Sequence, residues 1–242
     1  MYYKNIAGIY DDLMTDVDYD HWFSHYTTLF AMGKPVRHIL ELGCGTGNMT
    51  FRFARHYDVT AMDLSSDMLN AAQRKLASAR EKHSVCFLQG DMRQFHSSER
   101  FDAAVAVFDV MNYAVSMDDL AAVCKNVYQV LRAGGRFIFD VNTELAFTLK
   151  LFDEEEIRPD KDYVHIWRGY YDPVTRIERI EMEFCTHGQS FREVHLQRAH
   201  SEHELEQVLR DAGFERIYFF DCATMTKPTT HTDRLFVTAC KA

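Results

Sequence analysis

The stretch VRHILELGCGTGNMTFRF, residues 36–53, sets an apolar run directly against three glycines, Gly43, Gly45 and Gly47. The run before the glycines reads as a short strand buried on both faces. Glycine at such a strand end accepts positive φ and removes the Cβ that would keep a ligand off the backbone. The helix that follows, starting near Asn48, offers its backbone N–H groups to an anion. A mononucleotide P-loop is excluded, because GxxxxGK[ST] needs a lysine that does not follow Gly47. A dinucleotide fingerprint, GxGxxG, would place its third glycine where Asn48 stands.

Outward from this point the chain alternates. VTAMDL, SVCFLQG, FDAAVAVF and GRFIFDV supply four further strands by residue 141. Between the second and third, residues 65–82 form a helix with Ser65 as N-cap. Its apolar face is Met68, Ala72, Leu76 and Ala79. Residues 116–133 form another, with Leu120, Val123, Val127 and Val130 in one stripe and Gly134-Gly135 closing it. Strands alternating with helices predict a parallel sheet covered on both faces.

Near residue 145 the rhythm changes. Ile180, Met182 and Phe184 alternate with Glu181 and Glu183, and turn signals fall at DPVT and HGQS. This predicts an antiparallel meander, with the acidic run at 153–156 as a solvated loop. SEHELEQVLRDAGF restores a helix capped by Ser201 and ending near Gly213, and ERIYFF and LFVTAC supply two last strands. At the start, residues 18–32 read as an aromatic-rich helix. The expected organisation is one domain over 1–242: core 34–142 and 201–242, N-terminal cap 1–33, and antiparallel β insert 143–200.

The 242 residues carry a formal charge of −9 with no basic run, which disfavours nucleic acid as a partner. Six cysteines form no CxxC. There is no signal peptide and no apolar stretch long enough for a membrane span, so a cytoplasmic protein without membrane association is expected. HLQRAHSEH matches no zinc spacing, and no metal is expected.

The motifs together resemble class I S-adenosylmethionine (SAM)-dependent methyltransferases. GxGxG preceded by Glu41 is similar to that family's first motif. Asp63 closes the second strand of VTAMDLSSDML, twenty residues after Gly43. LQGDMRQF ends the third strand, FDAAVAVFDVMNYAV contains the fourth, and VLRAGGRFIFDV leads into the fifth, with Ala133 where proline is frequent. The resemblance implies a Rossmann-like fold: a seven-stranded, mostly parallel sheet with helices on both faces and a small antiparallel β insert. It implies that Glu41, Gly43 and Gly45 hold the amino-acid end of SAM and Asp63 the ribose hydroxyls. Leu64, Met68, Asp91 and Met92 would meet the adenine, and Phe108 the methionine moiety. Trp22, in the opening segment, is carried with them as a cofactor contact. Residues 109–113 would line the acceptor side. The opening IAGIYDDLM, the insert and HLQRAHSEHELEQVLRDAGF look like small-molecule N-methyltransferases acting on nucleotide-linked amino sugars, and in part like glycine N-methyltransferases.

Methyl transfer from a sulfonium is an in-line displacement, in which alignment alone supplies roughly 7–11 kcal/mol of the barrier. Tyr10 and Tyr113 are the candidate catalytic residues on the acceptor side. With an unperturbed pKa of about 10, a tyrosine orients an acceptor more readily than it deprotonates one. His195 and His200 are the alternative bases. The expected reaction is methylation of a small molecule, at nitrogen. A non-catalytic SAM-binding protein and an NAD-dependent oxidoreductase are the rival readings. [DN]PP[YF], the tetrapeptide of many enzymes that methylate macromolecules, is replaced here by DVMNY. Oligomeric state is open, with the meander as the place for a homodimer contact.

Overall fold

Strands of the first half lie where their apolar runs put them. In a computed structural model, which describes residues 7–78, 84–158, 163–186 and 189–242, β1 (His38–Leu42) is central. It pairs in parallel with β2 (Asp58–Asp63) and β4 (Phe101–Ala106). β3 (Val85–Gln89) extends one side and β5 (Leu131–Asn142) the other, both in parallel. β11 (Arg234–Lys241) is antiparallel to β5 and to β10 (Phe214–Asp221). The sheet order is therefore β10-β11-β5-β4-β1-β2-β3. The chain steps outward in opposite directions from β1 and β4, so the crevice beyond their carboxyl ends is the topological switch point.

The period-two alternation of strands divides the core. Leu40, Leu42, Phe137 and Phe139 pack on one face against α5 (Met117–Val130) and α7 (Glu202–Asp211). Ile39, Ala103 and Ile138 point to the other, beneath α2 (Tyr19–Phe30) and α3 (Asn48–Phe53). α1 (Tyr10–Leu13) precedes α2, whose N-cap Asp18 accepts from the His21 backbone N–H at 2.9 Å. α4 (Ser66–Ser78) follows β2, and its expected continuation through Ala79 to Lys82 lies outside the described residues. Ser201 and Glu204 form a reciprocal capping box at the start of α7.

Two expectations are corrected. Gly134-Gly135 do not close α5: the helix stops at Val130, where Leu131 is already extended and begins β5. Strand pairing with Phe101 claims Leu131 before the glycines are reached. The acidic run is not a loop either. β6 (Glu154–Arg158) pairs with β7 (Tyr163–Asp172), and charge is tolerated there because β6 is an edge strand. β8 (Ile177–Thr186) and β9 (Gln189–Arg198) complete this second, four-stranded antiparallel sheet. The HGQS turn at residues 187–190 falls partly outside the described residues. α6 (Glu144–Thr148) links the two sheets. Ile180, Met182 and Phe184 bury one face of the insert with Met68 of α4, and Tyr10 and Leu13 of α1 pack against the same cluster. The insert is thereby seated over the end of α4, beside the switch point. No helix among the described residues is long and apolar enough to cross a membrane.

Arg136 is almost fully buried, and its Nη1 donates to the carbonyls of Leu29 and Phe30, both at 2.8 Å. It satisfies the last turn of α2. Arg136→Met should cost about 2 kcal/mol, because the Phe30 carbonyl loses its guanidinium donor and the Leu29 carbonyl keeps only the Met32 N–H. The melting temperature should then drop by roughly 4–8 °C in a thermal melt. Ser201→Ala, which removes only a helix cap, should cost about 1 kcal/mol.

Candidate functional site

The glycine bend after β1 carries φ of +65° at Gly43, +55° at Gly45 and +84° at Gly47. A Cβ on Gly43 would stand 2.5 Å from Val110, whereas one on Gly45 would meet nothing within 4 Å and project into open space. That open space is a cleft of about 390 Å³, bordered by the bend and by the ends of β1, β2, β3 and β4. Asp63 braces the bend: Oδ2 accepts from the Gly45 N–H at 2.7 Å and Oδ1 from the Ser65 N–H at 2.8 Å. Each oxygen keeps a second lone pair for a hydroxyl. Burial raises the Asp63 pKa. Glu41, at the foot of the bend, is pushed up to about 8 by burial, with Asp63 adding to the shift, although the Thr50 hydroxyl donates to it at 2.6 Å. Two carboxyls whose charge is disfavoured thus share the floor, an environment that welcomes a cation.

On the β2–β3 side, Leu64 is exposed at 41% while Met68 is buried, and both border the cleft. Asp91 and Met92 also line it. The Asp91 carboxylate is gripped by Arg93 through Nε at 2.9 Å and Nη2 at 2.6 Å, which holds its pKa below the usual range. An adenine amino group would share this carboxylate with Arg93.

The opposite wall begins with strained backbone. Phe108 and Asp109 are consecutive non-glycine residues with φ of +63° and +52°. Asp140, fully buried on β5, holds them there by accepting from the Phe108 N–H at 2.8 Å and the Asp109 N–H at 2.9 Å. The Tyr26 hydroxyl lies 2.9 Å from the same carboxylate. Arg234 pairs with Asp109, and its Nε stands 3.5 Å from Asp140. The turn delivers Phe108 to the cleft. Trp22 does not reach the cleft: it packs behind Phe108 at 4.5 Å between centroids, with Phe236 and Arg234 on its other sides. The sequence reading carried it as a cofactor contact, but helix α2 packs the indole against Phe236 and Arg234.

A 3₁₀ turn, Val110–Tyr113, follows. Of residues 109–113 only Val110 and Tyr113 line the cleft. Asn112 is a staple: its amide donates to the Asn142 and Arg198 carbonyls at 2.9 Å each and accepts from the Asn142 N–H. Tyr113 has its hydroxyl 2.8 Å from His195 Nδ1, and His195 Nε2 is 3.2 Å from Glu193 Oε2. His195 is fully buried. The other candidate base, His200, is buried beside Arg198, and burial with that positive neighbour lowers its pKa to about 4. It anchors the start of α7 and does not border the cleft.

The N-terminal cap is latched across the opening. Asp11 accepts from the Thr46 hydroxyl at 2.6 Å and the Asn48 amide at 2.9 Å, and Lys75 of α4 donates to it at 2.8 Å. This brings Tyr10 to the cleft beside Tyr19. Sequence reasoning missed Asp11, Tyr19, Thr46 and Asp140. An acid inside the apolar run FIFDV was the available signal for Asp140, since a buried charge must be partnered. Asp11 gave none, being one of two adjacent acids in a short segment. Among the described residues no three His, Cys, Asp or Glu side chains converge as metal ligands.

Comparison with known proteins places this geometry. Residues 39–135 match a family described as "Methyltransferase domain". YqeM of Bacillus subtilis (strain 168), a methyltransferase by name, is 32% identical over the whole of this chain and 98% of its own length. The crystal structure of an S-adenosylmethionine-dependent methyltransferase from Clostridium acetobutylicum ATCC 824 superposes with a TM-score of 0.85 at 26% identity, covering 98% of both chains. The dTDP-3-amino-3,4,6-trideoxy-alpha-D-glucopyranose N,N-dimethyltransferase of Streptomyces venezuelae is 30% identical over 56% of each chain. With the switch-point cleft, the glycine bend and the acid at the end of β2 in place, the chain belongs to the methyltransferases and is a SAM-dependent methyltransferase.

Proposed function

We propose that the enzyme methylates a nitrogen of a small molecule held between the glycine bend, the N-terminal cap and the turn that carries Tyr113. The observation that carries this reading is that Tyr10 of the latched α1 and Tyr113 of the stapled 3₁₀ turn border one cleft of about 390 Å³. That is the scale of a small-molecule site. The amino-sugar N,N-dimethyltransferase similar to this chain over 56% of its length supports nitrogen as the acceptor atom. The net charge of −9 supports a partner other than nucleic acid.

The residues fit the cofactor. Gly45 leaves open space where a side chain would fill the cradle. Asp63 has acceptor capacity for two ribose hydroxyls, and the exposed Leu64 offers an apolar surface to a base. Met68, Asp91 and Met92 complete the adenine side. Glu41 stands where the amino-acid end would lie, and a neighbouring ammonium would favour its ionised form. When bound, S-adenosylmethionine supplies an electrophilic methyl on a sulfonium. Phe108 walls the methionine side, and Tyr10 and Tyr113 orient the acceptor nitrogen. Tyr10 on the latched cap and Tyr113 on the stapled turn keep the alignment that this reaction depends on.

Three outcomes check the reading. Calorimetric titration should detect binding of SAM and S-adenosylhomocysteine, with Asp63→Ala weakening both by at least about tenfold, or roughly 1.4 kcal/mol. Labelled SAM incubated with amino sugars and simple amines should transfer its methyl to one of them; labelling of none would end the nitrogen proposal. Glu41 also sets a pH dependence. Its folded pKa is raised from 4.5 to about 8, so it contributes stability that is lost as the pH rises through that window. The ligand-free protein should unfold more easily at pH 9 than at pH 5, and Glu41→Gln should remove part of that difference. At pH 7 cofactor binding should release protons, measured in buffers of different ionisation enthalpy, and Glu41→Gln should suppress the release.

A further inference from the structure

We propose that the cleft where the chain leaves α2 is a second ligand site, one that takes the phosphoryl group of a small molecule. The cleft measures about 450 Å³ and shares no lining residue with the methyltransferase cleft. Three cationic side chains line it, Lys34, Arg136 and Arg216, and no Asp or Glu does. In a chain whose net charge is −9, that concentration runs against the overall balance.

The cations come from three separate segments. Lys34 follows α2, Arg136 stands in β5 and Arg216 in β10. Register brings the strands together: Arg136 lies opposite Cys240 of β11, and β11 pairs with β10 on its other side. The β10–β11 register shifts between Glu215 and Tyr218, and Arg216 takes a φ of +46° within that bulge. Bulges re-aim side chains, and this one sets Arg216 Nη2 2.9 Å from Cys240 Sγ, on the wall of the cleft. Two glycines make the room. Nη2 of Arg136 lies where a side chain on Gly33 would stand, and a Cβ on Gly134 would be 2.7 Å from Lys34 Nζ.

The cluster lacks a counter-charge. Arg136 is 4% exposed, and a charge so far removed from water needs partners. Its Nη1 has the Leu29 and Phe30 carbonyls, whereas Nε and Nη2 have no hydrogen-bond acceptor among the described residues. Burial lowers the Arg136 pKa, the charge of Arg216 lowers it further, and no carboxylate opposes them. Lys34 Nζ donates to the Ala133 carbonyl at 2.9 Å, again a neutral acceptor.

A phosphoryl group answers this arrangement. It carries about −1.5 to −2 charges at neutral pH and three acceptor oxygens. Guanidinium groups meet such oxygens with paired N–H bonds, and an ammonium adds a point charge. A carboxylate brings one charge and two oxygens to three cations. Nucleic acid needs cations spread along a surface to neutralise successive phosphates, and these are gathered in one concavity. Met32 and Tyr218, 53% and 48% exposed, line the same cleft and give an organic remainder an apolar surface to lie on.

The site stands apart from methyl transfer, so its test needs no SAM. Inorganic phosphate and phenyl phosphate are titrated calorimetrically in about 0.15 M NaCl, which screens diffuse attraction. Both should bind, and Arg216→Gln and Lys34→Gln should each weaken them by at least about fivefold. Both side chains are exposed, and the variants should melt no lower than the wild type, so that lost affinity reports the site and not the fold. Lys125→Gln removes the same charge from the exposed side of α5, on the other face of the sheet, and should leave affinity within about twofold. Tighter binding of phenyl phosphate assigns the site to a phosphorylated organic molecule, and equal binding assigns it to free phosphate. No binding by the wild type at roughly 10 mM overturns the proposal. Binding that Arg216→Gln and Lys34→Gln leave unchanged, or that Lys125→Gln weakens as much as they do, overturns it as well.

Discussion

The wall of the cleft that carries Phe108 and Tyr113 depends on one buried carboxylate. Asp140 sits near the carboxyl end of β5 with no exposure. Such a charge is tolerated only when its lone pairs are taken. Here they are taken by two backbone N–H groups, a tyrosine hydroxyl and a nearby guanidinium. Those bonds hold Phe108 and Asp109 in left-handed conformations that cost roughly 1–3 kcal/mol each. The strain sets the direction in which the chain leaves β4. From that departure follow Phe108 on the cleft wall, Val110 against Gly43, and Tyr113 over the opening.

The two walls of the cleft obey different logic. The cofactor wall is local: Gly43, Gly45 and Asp63 lie at the ends of adjacent strands and brace one another through a single hydrogen bond between Asp63 and the Gly45 N–H. The acceptor wall is assembled from afar. Asn112 ties its 3₁₀ turn to β5 and to β9, and Gln197 and Arg234 both hold Asp109. The insert is thus fastened to the turn that carries Tyr113.

Burial also divides the ionisable groups by task. Glu41 and Asp63, on the floor of the cleft, sit where burial disfavours ionisation. Asp91 is held ionised by Arg93, and Glu204 is lowered to about 2 by the Arg198 and Ser201 contacts that outweigh its burial. The first pair borders the cleft, and Glu204 fastens the start of α7.

Much was legible in the order of residues alone. Alternating apolar strands and helical stripes require a covered parallel sheet, and three glycines at alternate positions require a bend with positive φ. Asp63 follows from the strand end on which it stands, because both facts are local and need only period and sterics. Chain order did not reveal β6, since an edge strand pairs through its backbone and tolerates acids in its side chains. Nor did it separate Trp22, which supports Phe108 from behind, from Tyr10, which borders the cleft. It offered His195 and His200 as equals, and only the fold put one against Tyr113 and the other beside Arg198. The contacts that decide these cases join residues far apart in the chain, Tyr113 to His195, Asp140 to Phe108 and Asp11 to Lys75, and no local pattern records them.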